Sequence, residues 1–309
     1  MTKVITRSST PPRITRKQLA AVCMGNGLDF YDFVTFAFFA SQIGRTLFPN
    51  SDGNGLLYAL LTFGAGFLTR PLGGIVFGQI ADRRGRVPAM LLSFSLMGVS
   101  IVGLALTPSY AMIGTAAPIL AVVFRLLQGL ALGGEVGPNS AFLYEAAPYS
   151  KRAFYVSMQL MTQNLGTLAS GTVGVLLSSW LTPNQLDSFG WRIAFLLGAA
   201  IVPLALWVRR TLVETVEAKE AAPEILPKGS RAVVAGGFLM LAGGTIWGYS
   251  LGYLGTYAQT ILNRPAKQGF HAVMALGLCT AAADVLVGKV LDSKIDPRLM
   301  VAPWALSIA

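Results

Sequence analysis

The chain has 309 residues, 53% hydrophobic and 12% charged, with a mean hydropathy of +0.59. Soluble domains carry about 25% charged residues, so this composition excludes an ordinary water-soluble fold and describes an all-α polytopic membrane protein. The net charge of +10 is spread over short loops, which argues against a nucleic-acid partner, and Cys23, Cys279 and His271 are too few for a zinc centre, a redox CxxC pair or a catalytic triad.

A helix that crosses a bilayer needs about 20 mostly apolar residues. Residues 1–18 form a basic arm. The apolar run after it is too long for a signal peptide and carries Asp29 and Asp32, so it reads as the first permanent span. In chain order the predicted spans are 19–43, 56–81, 87–107, 112–144, 153–181, 191–208, 232–262 and 270–287, and a ninth starts at Leu299. The third, fifth and seventh contain no charged residue.

The loops alternate in charge. One side holds 18 of the 24 Lys and Arg residues and the other holds Arg45, Arg192, Arg264 and Lys267, while Arg70 and Arg125 lie within spans. The basic side is expected to be cytoplasmic, which puts the N-terminus inside the inner membrane of a multi-pass protein. Residues 209–231 mix Arg209, Arg210, Glu214, Glu217 and Lys219 with Pro223 and Pro227, and read as a cytoplasmic linker between two membrane units.

A repeat supports this division. Gly78-Gln-Ile-Ala-Asp82 and Gly288-Lys-Val-Leu-Asp292 share a Gly-x-x-x-Asp pattern followed by basic residues, and both pairs are 210 positions apart (288 − 78 and 292 − 82). Duplication of a six-helix unit is the simplest reading, with 19–208 as the first unit and 232–309 as part of the second. A complete pair of such units would run to about 420 residues.

Ionisable side chains inside a span are costly and are functional candidates by default. Asp29 and Asp32 lie three residues apart, on one helical face beside Asn26 and Tyr31. Two carboxylates in a low-dielectric site cannot both ionise cheaply, so the pair can take up and release a proton; the other reading is a structural pair bonded to a facing helix. Arg125 and Glu135 share the fourth span with Gln128. A buried guanidinium matches the two oxygens of a carboxylate substrate, yet Arg125 can equally pair permanently with Asp29 or Asp32. Glu135 can relay protons or pair with Arg125 or Arg70. Gly74-xxx-Gly78 and Gly129-xxx-Gly133 have the spacing that lets helix backbones approach closely. The cluster Gly78, Asp82, Arg83 and Arg86, echoed at Asp292, sits where a helix leaves the membrane and can form salt bridges that bias one of two bundle arrangements.

The 78–86 segment resembles the cytoplasmic loop signature of the major facilitator superfamily. Arg70-Pro-Leu-Gly-Gly74, Arg125-Leu-Leu-Gln-Gly129, Gly133-Gly-Glu135 and Gly190-Trp-Arg-Ile-Ala-Phe-Leu-Leu-Gly198 with Glu214-Thr215 resemble its metabolite–proton symporter family. Gly25-Asn26-Gly-Leu-Asp29-Phe-Tyr31-Asp32-Phe33, Arg45-Thr-Leu-Phe-Pro49 and Ala117-Pro-Ile-Leu resemble the citrate and tricarboxylate branch. The sequence departs from the pattern at Asp29, where the family often has Glu, at Val87, and after Asp292.

The resemblance implies the major facilitator fold and proton-coupled symport of a small organic acid by alternating access, in a monomer with no metal or cofactor and no enzymatic activity. Arg125, Gln128, Asn26 and Tyr31 are then expected at the substrate, Asp29, Asp32 and Glu135 at the proton, and Arg70, Gly78, Asp82, Arg83, Arg86 and Asp292 at the gate. The alternatives are a proline or betaine transporter, a sensor that binds without transporting, and a truncated fragment.

Overall fold

The computed structural model describes residues 15–48, 53–200, 202–203, 207 and 230–293. Most of the basic arm, the linker at 209–229 and the expected ninth span from Leu299 lie outside the described residues.

The described chain is built of helices. Thr15 opens the first with a reciprocal cap: its hydroxyl accepts from the Gln18 amide while the Gln18 side chain accepts from the Thr15 amide. α1 (Arg16–Phe38) then breaks at Phe39, whose φ of −99° and ψ of 15° are not helical, and α2 (Ala40–Leu47) follows. The expected single span 19–43 is therefore two segments. α3 (Gly55–Arg84) and α4 (Arg86–Leu106) meet at Gly85, whose φ of 106° is open to glycine and strained for any side chain.

α5 (Tyr110–Ile113) and α6 (Ala116–Ala146) divide the predicted fourth span at Gly114, with φ of 59°. A 3₁₀ turn (Tyr149–Lys151) leads into α7 (Arg152–Trp180). α8 (Pro183–Gln185), a π turn (Leu186–Gly190) and α9 (Trp191–Gly198) follow. α10 (Ser230–Thr260) and α11 (Ala266–Asp292) fall in the stretch that the sequence repeat assigns to the second unit.

Among the described residues, four helices are long and apolar enough to cross a membrane by length and composition: Gly55–Arg84, Arg86–Leu106, Ala116–Tyr144 and Ala266–Asp292. Their outward faces carry Leu61, Leu68, Val99 and Ile119, which are 61% to 75% exposed; surface this apolar suits lipid rather than water. The interior is aromatic on one side, with Phe33 and Phe36 of α1 and Phe39 at the break buried, and Met90, Phe94 and Met97 of α4 packed in the same core as Phe195 of α9.

Two seams bring backbones together. In the α3–α6 seam, a Cβ at Gly129 would strike the Gly66 carbonyl and one at Gly133 would strike the Arg70 backbone, while the Thr69 hydroxyl donates to the Leu126 carbonyl at 2.7 Å. The Gly129-xxx-Gly133 expectation holds. The Gly74-xxx-Gly78 expectation does not: Gly78 faces open space and Gly74 makes only an ordinary contact at 3.6 Å, so the partner residues on α3 are Gly66 and Gly73. The second seam joins α7 to α11, hence the first unit to the second. A Cβ at Gly277 would lie 2.6 Å from the Leu168 amide nitrogen, and one at Gly288 would strike Ser157.

Candidate functional site

The site starts at Arg125, which the close α3–α6 seam holds facing α1. It is fully buried. Nη2 donates to the Phe33 carbonyl at 3.0 Å and Nη1 to Gln128 Oε1 at 2.8 Å. The guanidinium carbon lies 3.9 Å from the Phe33 ring centre, 4.6 Å from Phe36 and 4.7 Å from Phe63, so ring quadrupoles replace part of the lost hydration. Nε of Arg125 and Nε2 of Gln128 are buried without a hydrogen-bond partner among the described residues.

Asp29 and Asp32 are also fully buried, and all four of their carboxyl oxygens lack a hydrogen-bond partner among the described residues. No salt bridge joins either to Arg125, although Asp32 and Arg125 interact electrostatically. Unmatched donors and unmatched acceptors thus share one core. Buried polar groups are nearly always satisfied in stable structures, so a cluster of exceptions marks a place where a proton or a ligand completes the bonding.

Arg70 belongs to the same cluster. Its guanidinium carbon is 4.1 Å from the Phe33 ring centre and 4.2 Å from Phe67, and Nη2 donates to the Tyr249 hydroxyl on α10 at 3.2 Å. Tyr249 is edge-on to Phe33, Phe63 and Phe67. Beside it opens a cavity of ≈ 510 Å³, lined by Phe63, Phe67, Tyr249, Ser250 and Tyr253 among others, at the junction of the two units. That volume fits a small metabolite.

The remaining sequence candidates are placed as follows. Asn26 spends its amide on α7: Nδ2 donates to the Gln159 carbonyl at 2.8 Å and Oδ1 accepts from Gln163 at 3.2 Å. The Tyr31 hydroxyl donates to the Ala194 carbonyl at 2.8 Å. Both side chains tie α1 to neighbours within the first unit. Glu135 is buried and accepts from Asn139 Nδ2 at 2.5 Å, with neither arginine as its partner. Asp82 pairs with Arg86 at 3.1 Å, joining the end of α3 to the start of α4 across Gly85. Arg83 is exposed.

Asp292 reaches across the unit boundary. Its two oxygens accept from the Ala153 and Phe154 amides at 3.0 and 2.9 Å, so a carboxylate of α11 caps the N-terminus of α7. At the other end of the molecule Arg45 forms a two-pronged bond with Asp187, at 2.7 and 2.6 Å. Sequence reading missed Tyr249, Asp187 and Asp284. Asp284 had a signal: it is a lone acid in an apolar span, and the rule that selected Asp29 selects it too.

A set of long apolar helices with buried charges between them defines a polytopic membrane protein. The Major Facilitator Superfamily profile matches residues 22–309, and the chain belongs to that superfamily. It is 36% identical over 267 residues to the citrate-proton symporter of Salmonella typhi, covering 83% of this chain and 61% of that protein. It is 37% identical over 301 residues to the alpha-ketoglutarate permease of Escherichia coli (strain K12), covering 92% and 68%. The chain thus spans about two thirds of the length of these relatives. The fold matches the crystal structure of a D-xylose-proton symporter with a TM-score of 0.67 at 18% identity, over 89% of this chain and 69% of that one.

Proposed function

We propose that the chain carries the substrate and proton sites of a proton-coupled symporter for a small di- or tricarboxylate, working by alternating access in the inner membrane with its N-terminus in the cytoplasm, as a monomer. The carrying observation is that donors on Arg125 and Gln128 and acceptors on Asp29 and Asp32 are buried without hydrogen-bond partners among the described residues, with Asp32 and Arg125 interacting electrostatically. An arriving carboxylate accepts from Arg125 and Gln128, with Arg70 and the aromatic wall beside it. Asp29 and Asp32 take up the proton that lets the loaded site stay close to neutral, and Glu135 exchanges it from deeper in α6. Asn26 and Tyr31 support the α1 segment that presents these groups. Gly78, Asp82, Arg83 and Arg86 with Asp292 form the cytoplasmic gate, where the Asp292 cap holds one arrangement. The names of the two relatives, a citrate–proton symporter and an alpha-ketoglutarate permease, support the choice of an organic acid.

The test is uptake of labelled citrate and α-ketoglutarate into proteoliposomes, with unlabelled citrate, α-ketoglutarate, proline and betaine as competitors. Carboxylates are expected to compete and a protonophore to abolish accumulation. Arg125→Lys keeps the charge but loses the planar fork, and should cut uptake at least tenfold with insertion intact. Uptake unchanged by this substitution removes Arg125 from the substrate site; competition by proline or betaine alone removes the organic-acid reading.

A further inference from the structure

Asp284 is a carboxylate of α11 that the scheme above leaves without a task. It stands in the α11 segment that is long and apolar enough to cross a membrane. It is half-buried, and Oδ2 accepts from Asn164 Nδ2 of α7 at 2.7 Å. This bond crosses the boundary between the two units. It lies along the same seam in which Gly277 packs on Leu168 and Asp292 caps α7.

Among the described residues the surroundings offer no counter-charge. On the elements packed against α11, the described titratable and charged side chains are Arg152 and Tyr155 of α7, Lys151 and Tyr149 of the 3₁₀ turn, and Tyr249, Tyr253 and Tyr257 of α10. α11 itself carries Lys267, His271, Cys279, Lys289 and Asp292. Among the described residues none forms an ion pair with Asp284. An ionised carboxylate in an apolar seam without a cation is expensive, and binding a proton is the direct way to neutralise it. The partner is suited to both states. Asn164 offers an N–H donor that serves a carboxylate or a carboxylic acid, and a carbonyl that can accept the acid's O–H.

We propose that Asp284 is a second proton-binding site, on the second unit, with Asn164 of the first unit as the group that senses whether the proton is present. Uptake of one proton from water converts the carboxylate to the acid, and the Asn164–Asp284 contact gains a second hydrogen bond across the seam. Loss of that proton leaves a single bond and an uncompensated charge, which loosens the same contact. The site does not depend on which solute is carried.

The experiment is an infrared titration of the purified full chain in lipid nanodiscs, following the carbonyl stretch of protonated carboxylic acids. Asp284→Asn preserves the shape and one hydrogen bond, and should delete one titrating band. Asn164→Leu keeps the carboxyl, and should retain that band at a shifted frequency. A titration of Asp284→Asn that superimposes on the parent overturns the proposal. So does an Asn164→Leu spectrum in which the band is unmoved, and this second variant decides the matter if the first fails to fold. Proteoliposome uptake is scored separately: a failure of the substrate reading leaves the carboxyl band where it is.

Discussion

Phe33 lies beside two guanidinium groups, with ring-to-carbon distances of 3.9 Å to Arg125 and 4.1 Å to Arg70. Its backbone carbonyl also accepts from Arg125 at 3.0 Å. Desolvated cation–π contacts are worth about 2 kcal/mol each, so the ring offsets part of the repulsion between the two cations. Phe33→Leu keeps an apolar side chain and the carbonyl but removes the quadrupole. We expect uptake to fall about tenfold, since 1.4 kcal/mol is a factor of ten, and kinetics at matched expression check it. Tyr31→Phe should behave differently. It deletes the bond to the Ala194 carbonyl, costing about 1 kcal/mol of stability while leaving the apparent KM unchanged. A raised KM at normal stability would place Tyr31 at the substrate. Arg125, Asp29 and Asp32 were legible because charge is rare in apolar spans. The Gln159 and Ala194 carbonyls to which Asn26 and Tyr31 donate were not legible, because they are backbone groups of α7 and α9, which no residue type encodes.

At the scale of elements, apolar length located the first eight predicted spans near observed helices, since a bilayer imposes one length on all of them. The breaks were harder. Phe39 interrupts α1 with no Pro or Gly to announce it, and α2 is held in place by remote bonds, Arg45 to Asp187 and Thr46 to the Asp187 carbonyl. Gly114, by contrast, does announce the turn between α5 and α6. The seams yield a paired prediction. Gly133→Ala drives a methyl into the Arg70 backbone and should cost about 1–3 kcal/mol through overpacking. Gly64→Ala meets no atom within 4 Å and should be neutral or gain up to about 1 kcal/mol from helix propensity. Thermal unfolding in detergent distinguishes them, and equal melting temperatures would show that the α3–α6 seam tolerates a side chain.

At the scale of the molecule, the two units meet along α7 and α11, and the 210-residue offset had already matched Asp82 to Asp292. The offset did not reveal that the two aspartates do different things. Asp82 bonds to its own neighbour Arg86, whereas Asp292 bonds to two amides of the other unit. A sequence repeat copies residue types, not the backbone they will face. Asp292→Ala should free the Asp292 end of the seam, at a cost typical of a lost helix cap, about 1 kcal/mol. Ser157, only 7% exposed and packed on Gly288, can report it. With Cys279→Ser as background, Ser157→Cys should be shielded from a water-soluble maleimide and become several-fold faster to label once Asp292→Ala is added. Equal labelling rates would mean that the cap does not hold the seam.

The Asp292 cap also sets an order of events during synthesis. The carboxylate is encoded 139 residues after the Ala153 amide that it serves. Ribosomes add about 5–20 residues per second, so α7 waits on the order of 10 s in the membrane before its cap has been made. Throughout that interval its first amides are hydrated at the bilayer surface. A nascent chain stalled short of Asp292 should therefore exchange the Ala153 and Phe154 amides with solvent deuterium, and the released chain should protect them.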